Sequence, residues 1–241
     1  MDFKKAVIFL IVFALTVAVS AVAFANPVST EDRLNNISFS GIILEELTPE
    51  FIAKVKDTKA KELKYLDDLE KTYQLPTNLL KIKWLIESRA GELNIKNKKG
   101  YEGHFQFGKY EQKLCNLKDP YNFEQAARST VCLLRDYHIK FQSYTLTPVD
   151  WSTRNVTDFY MMHQQGFRGA GEQYNAIVHE KALTPTVKFN MCGNIPTQYK
   201  KLLFKPRTCK VNPGITDKQY ATFFYKLWET EMARINLELL K

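Results

Sequence analysis

Alternation of apolar and polar residues, the mark of a half-buried strand, is scarce in this chain of 241 residues, which leaves little material for a β-sheet. Internal repeats and low-complexity tracts are missing too, so solenoid and compositionally disordered architectures lose their usual basis. Histidine and cysteine occur four times each. They show neither CxxC spacing nor the close ligand spacing of a zinc site, so no metal and no cofactor is expected. No RNA or DNA recognition motif accompanies the basic residues, and nucleic acid is not an expected partner. Beyond residue 25 no run is apolar enough to cross a membrane.

What is present begins with residues 1–25, MDFKKAVIFLIVFALTVAVSAVAFA. Lys4 and Lys5 precede an apolar run from Ala6 to about Val22, and Ala23-Phe24-Ala25 has the small-residue pattern of a cleavage site. An export signal is expected here, placing the mature chain, from Asn26, in a periplasm or outside the cell. If the signal is retained, the same run serves as a membrane anchor. No cysteine follows it directly, so lipid attachment is not expected. In an exported chain Cys115, Cys132, Cys192 and Cys209 are read as disulfides. Three pairings exist; the sequential one, Cys115 with Cys132 and Cys192 with Cys209, is expected because each bond closes a short loop, worth about 3 kcal/mol in the chain-entropy model. The formal charge of +8 draws such a protein toward cell-wall polymers or anionic membrane surface, or simply reflects lysines on solvated faces.

Along the chain the period is helical. Thr48-Pro49-Glu50 reads as a cap with proline in the first turn, opening a charged helix that stops near Leu75-Pro76. A second helix from Thr77 or Asn78 carries Leu79, Leu80, Ile82, Trp84, Leu85 and Ile86, apolar nearly all round and so expected to be buried. Glu87 ends it. Glu87 lies three positions after Trp84 and seven after Leu80, on their face, where desolvation is expected to raise its pKa. Further helices are expected over Tyr121–Tyr137 and from Val156 or Thr157 to about Gln164. QGFRGAG then breaks the pattern, a helix resumes over Gly171–Ala182, and Thr184-Pro185 ends it. A Cys192–Cys209 loop with Pro196 and Pro206 precedes a last helix from about Thr216 to Leu240.

Glu87-Ser88 at a helix end, Gly100-Tyr101-Glu102-Gly103-His104-Phe105-Gln106-Phe107, Asp119-Pro120 before a helix, and Tyr160-Met161-Met162-His163-Gln164-Gln165-Gly166 fall in order. Together they resemble the E-S…G-A-x-G-L-x-Q signature, and the later A-Y-N-x-G, of the soluble lytic transglycosylases of the lysozyme-like superfamily. The likeness covers roughly residues 73–182. It implies a mainly α chain divided as signal (1–25), helical N-terminal extension (26–72), lysozyme-like domain (73–185) and disulfide-closed helical C-terminal segment (186–241). The implied substrate is the peptidoglycan glycan strand. In that family a single glutamate, here Glu87, protonates the MurNAc–GlcNAc oxygen and then acts as base while the muramoyl 6-hydroxyl attacks C1, giving a 1,6-anhydro end.

Ser88, Gln106, Phe107, Tyr160, His163 and Gln164 are the expected substrate contacts. The sequence also departs from the pattern. Tyr101, His104 and Phe105 replace small or aliphatic residues, and His163-Gln164 stands where Tyr-Asn is usual. The ring that positions Glu87 is therefore expected from Tyr160 or from the imidazole of His163. A hydrolytic muramidase needs a second carboxylate, for which Glu102 and Asp119 are the candidates. Two other readings stay open. One is a non-catalytic glycan binder whose outer segments, about residues 31–75 and 186–241, recruit a partner such as a secretion apparatus; the other is a cationic membrane-active protein.

Overall fold

The computed structural model describes residues 44–205 and 208–241; the expected signal and residues 26–43 lie outside them. The chain is mainly helical. In order come α1 (Pro49–Thr58), α2 (Ala60–Thr72), α3 (Leu79–Ser88), α4 (Lys109–Leu114), α5 (Phe123–Gln142), α6 (Val156–His179), α7 (Pro185–Gly193), α8 (Thr197–Leu203) and α9 (Asp217–Leu240), with a 3-10 turn at Trp151–Thr153. Extended pairing among the described residues is limited to two isolated bridges, Glu102 with Phe107 and Phe204 with Val211. No described helix is long and apolar enough to cross a membrane.

Caps set most helix starts. Thr48 accepts from Phe51 N at 3.2 Å ahead of Pro49, and Asn155 with Asp158, and Thr216 with Gln219, form capping boxes on α6 and α9. The single helix expected from Pro49 to Leu75 is instead two, parted at Lys59 (φ −123°, ψ 28°). Its cause is visible in the burial pattern: Val55 and Leu63 are buried and nothing between them is, so no core contact holds the junction straight. α3 begins without a side-chain cap of its own, because Asn78 is left-handed (φ 67°). Glu70 of α2 caps it instead, accepting from Asn78 N at 2.8 Å and Leu80 N at 2.7 Å. Burial pushes this carboxyl up to about 7, against the pull of those two backbone bonds.

The glycine-rich break after Gln164 is narrower than expected. Only Gly166 (φ 69°, ψ 164°) leaves helical geometry, in a backbone region open to glycine. Gly169 and Gly171 remain inside α6, and Gly171 lies against Tyr144. Thr184-Pro185 does not merely end a helix; it starts α7, with Thr184 accepting from Val187 N. Both disulfides have the sequential pairing. Cys115–Cys132 ties the end of α4 to α5, and Cys192–Cys209 ties α7 to the chain beyond α8.

The described residues all fall within one compact unit. α9 is the reason. Its Tyr220, Phe223, Phe224, Leu227, Trp228, Met232 and Ile235 are buried, and it packs on α6, α1 and α3. Buried Glu231 accepts from Leu44 N, while Arg234 bonds both Glu231 and Leu47 O. The segments read as extensions thus supply core to the helices between them.

Candidate active site

α3 delivers Glu87 one residue before its end, and the chain then turns sharply. Arg89 and Ala90 are both left-handed (φ 51° and 54°), a conformation costing about 1 kcal/mol or more per non-glycine residue. The turn is held by Ser88, whose hydroxyl donates to His104 O at 2.7 Å and accepts from Gly91 N at 3.0 Å. Ser88 is fully buried. It therefore stitches the helix end to the following loop.

Gln106 has a similar fate. It is 9% exposed, and its amide donates to Ile95 O at 3.1 Å and Gly103 O at 2.9 Å while its oxygen accepts from Asn97 at 2.9 Å. A glutamine expected to face sugar instead ties its own loop. Phe105 and Phe107 are both buried core residues, so Phe107 forms no cleft wall. Gly103 (φ 79°) crosses so close to Pro120 that an added Cβ would lie 1.9 Å from its carbonyl oxygen, which is why the glycine and Asp119-Pro120 work as a unit. His104 fills the space under α3, its Nδ1 accepting from Trp84 Nε1 at 3.3 Å and its ring edge-on to Phe123.

Where α3 meets α6, three charged or titratable groups converge. His163 Nε2 lies 2.7 Å from Glu87 Oε1, and Lys83 Nζ lies 3.8 Å from the same oxygen. The side chains of Glu87, His163 and Lys83 are 16%, 19% and 3% exposed. Lys83 sits one turn before Glu87 on the same helix face. Its Nζ has no hydrogen-bond partner among the described residues; burial pushes its pKa down to about 8, while Glu87 and Glu111 pull it back up.

Burial also acts on Glu87 and raises its pKa, as expected. The attraction of His163 and then of Lys83 outweighs it and holds the carboxyl down at about 2. The expected raised pKa is thus overturned by two basic neighbours, one of which, Lys83, has no part in the sequence-based expectation. The available signal was a lysine at i−4 in a helix otherwise apolar nearly all round.

Of the two rings proposed to reach Glu87, the imidazole does so. Tyr160 is buried, its ring 5.2 Å from Trp228, and its hydroxyl is held neutral by burial and by the nearby Glu87 charge. Gln164 lies beside it, with Nε2 at 3.5 Å from the Tyr160 hydroxyl and its oxygen accepting from Gln165. The candidate second carboxylates are engaged elsewhere. Glu102 pairs with Lys96 at 2.7 Å, and Asp119 accepts from Tyr121 N at 2.9 Å in the turn before α5. Among the described residues no group of three or more His, Cys, Asp or Glu is arranged to hold a metal.

This arrangement defines a carboxylate–imidazole–ammonium cluster at the contact of two helices, partly open to solvent, in a disulfide-linked helical chain. Comparison with protein-family models, with curated proteins and with solved structures gave no match.

Proposed function

We propose that this chain is an exported lytic transglycosylase acting on peptidoglycan glycan strands, with Glu87 as its single acid and base. The observation that carries the reading is the 2.7 Å contact between Glu87 and His163, which puts a transferable proton within reach of one partly exposed carboxylate. While the proton is on the imidazole, the pair is ionic and the carboxylate is at rest. A sugar that covers the pair removes water, and separated charges become more costly than a neutral acid beside a neutral imidazole. The proton then moves to Glu87.

Glu87 gives that proton to the glycosidic oxygen as the C1–O bond breaks. The carboxylate formed faces the positive charge developing at C1, with Lys83 beside it. The muramoyl 6-hydroxyl attacks C1 and releases its proton to Glu87, closing the 1,6-anhydro ring without consuming water. The engagement of Glu102 with Lys96 and of Asp119 with a turn supports this route over hydrolysis, which needs a second carboxylate across the bond. The two disulfides and the basic charge suit a protein working in an oxidising compartment on an anionic wall.

A second reading is a glycan-binding protein without activity, with a partner such as a secretion apparatus. It is favoured by the same low pKa of Glu87, since a carboxylate held by two basic groups also serves as a structural anchor. Mass spectrometry of muropeptides released from purified sacculi separates the readings. Anhydro-muramoyl ends from wild type and none from Glu87→Gln are expected. Reducing ends would replace the assigned chemistry with hydrolysis. Binding to sacculi with no release by either form would establish the second reading.

A further inference from the structure

A separate site lies among α5, the Trp151–Thr153 turn, α6 and α9. It is a cavity of about 220 Å³ lined in large part by apolar groups such as Phe141, Met161, Ile177 and Val178. An engineered apolar cavity of about 150 Å³ already takes up benzene. Polar groups interrupt this lining. Arg154 is 7% exposed, its guanidinium 3.9 Å from the centre of the Phe141 ring. Its Nε and Nη2 are buried without a hydrogen-bond partner among the described residues, an arrangement unfavourable for a cation unless an acceptor meets it.

Gln173 donates to Ala221 O at 3.4 Å and keeps a buried carbonyl oxygen that likewise has no partner among the described residues. Asp158 accepts from Asn155 N at 3.0 Å and from the Tyr225 hydroxyl at 2.9 Å, and each carboxylate oxygen retains capacity for another donor. Arg154 and Asp158 both line the cavity, yet no described ion pair joins them.

These groups ask for both signs of charge at once. A simple anion would meet Asp158, and a simple cation would meet Arg154. A purely apolar guest would leave the guanidinium and the glutamine oxygen unanswered. We propose that the cavity binds an α-amino acid with a compact apolar side chain. The carboxylate lies on the planar fork of Arg154, the ammonium on Asp158 and the Gln173 oxygen, and the side chain among Met161, Ile177 and Val178. This site is independent of the chemistry assigned to Glu87.

Isothermal titration calorimetry of the purified chain with three probes tests it: leucine, 4-methylpentanoate, which lacks the ammonium, and 3-methylbutylamine, which lacks the carboxylate. Leucine is expected to bind, and each truncated probe to bind at least tenfold more weakly. Arg154→Gln is expected to lose leucine binding. Ala170→Leu fills the cavity without touching the charged groups and is expected to lose it also, with the melting temperature kept or raised. If Arg154→Gln does not fold, the probe series and Ala170→Leu decide. No heat from leucine, leucine binding unchanged in Ala170→Leu, or 4-methylpentanoate binding as tightly as leucine would each overturn the proposal.

Discussion

Two glutamates, Glu70 buried and Glu87 partly exposed, stand near opposite ends of α3, and desolvation is the largest influence on both. Glu70, carried by α2, faces two backbone N–H groups at the start of α3 and is pushed up to about 7. Glu87, near the other end, faces His163 and Lys83 and is held down at about 2. The same side chain thus shifts in opposite directions because the backbone donors and Lys81 only partly offset desolvation at Glu70, whereas His163 and Lys83 more than offset it at Glu87. Burial alone does not make a glutamate an acid; the charge of whatever faces it decides.

The sharpest way to break this comparison is to neutralise each carboxyl in turn. Glu87→Gln is expected to lower glycan cleavage at least about 100-fold, the usual range for loss of a general acid, while the circular dichroism spectrum is kept. Glu70→Ala should leave cleavage chemistry alone and instead cost about 3 kcal/mol of stability in a denaturant titration, since the N–H groups of Asn78 and Leu80 lose their buried acceptor.

The pH dependence sharpens it further. Glu70 has a folded pKa above its ordinary 4.5, so its contribution to stability is full below about 4.5 and fades as pH rises toward 7. Glu87 has a folded pKa below 4.5, so its contribution is full above that value and fades as pH falls toward 2. At about 1.4 kcal/mol per pKa unit, each is on the order of 3 kcal/mol. Melting curves of wild type minus Glu70→Gln and of wild type minus Glu87→Gln are therefore expected to slope oppositely with pH; parallel slopes would remove the contrast. The smallest effect expected is from Lys83→Met, which takes away one of the two basic groups beside Glu87. The Glu87 carboxyl should rise by roughly one unit in a carbon-13 NMR titration, with little change in melting temperature because the cost of burying the ammonium is removed together with its attraction to Glu87.

Much of the fold was legible in the sequence where a local signal existed. Thr48-Pro49 and Thr216 announce helix starts by chemistry confined to a few residues, and the apolar run around Trp84 fixes α3. The cysteine pairing followed from loop length. What stayed hidden depends on distant neighbours. The Glu70 cap acts across a chain reversal, Lys59 parts two helices only because nothing is buried beside it, and α9 reveals its place in the core only when α1 and α6 are set against it. At the site, the contact of a ring with Glu87 was expected from Tyr160 or His163, and the sequence did not decide between them. The role of Gln106 was not, because a glutamine among glycines looks the same in sequence whether it faces a sugar or its own backbone.

The bond network that joins Glu231 and Arg234 to Leu44 and Leu47 spans 187 positions, and the apolar face of α1 is covered by α9. A polymer whose first described helix is covered by its last described one cannot complete the core they share until residues far apart in the chain have met. Its order of assembly is set by closure of the longest loop, a slow and entropically costly step. The hydrogen bonds of Glu231 and Arg234 therefore work as a late clasp: they close only after the helices between them have been brought into place.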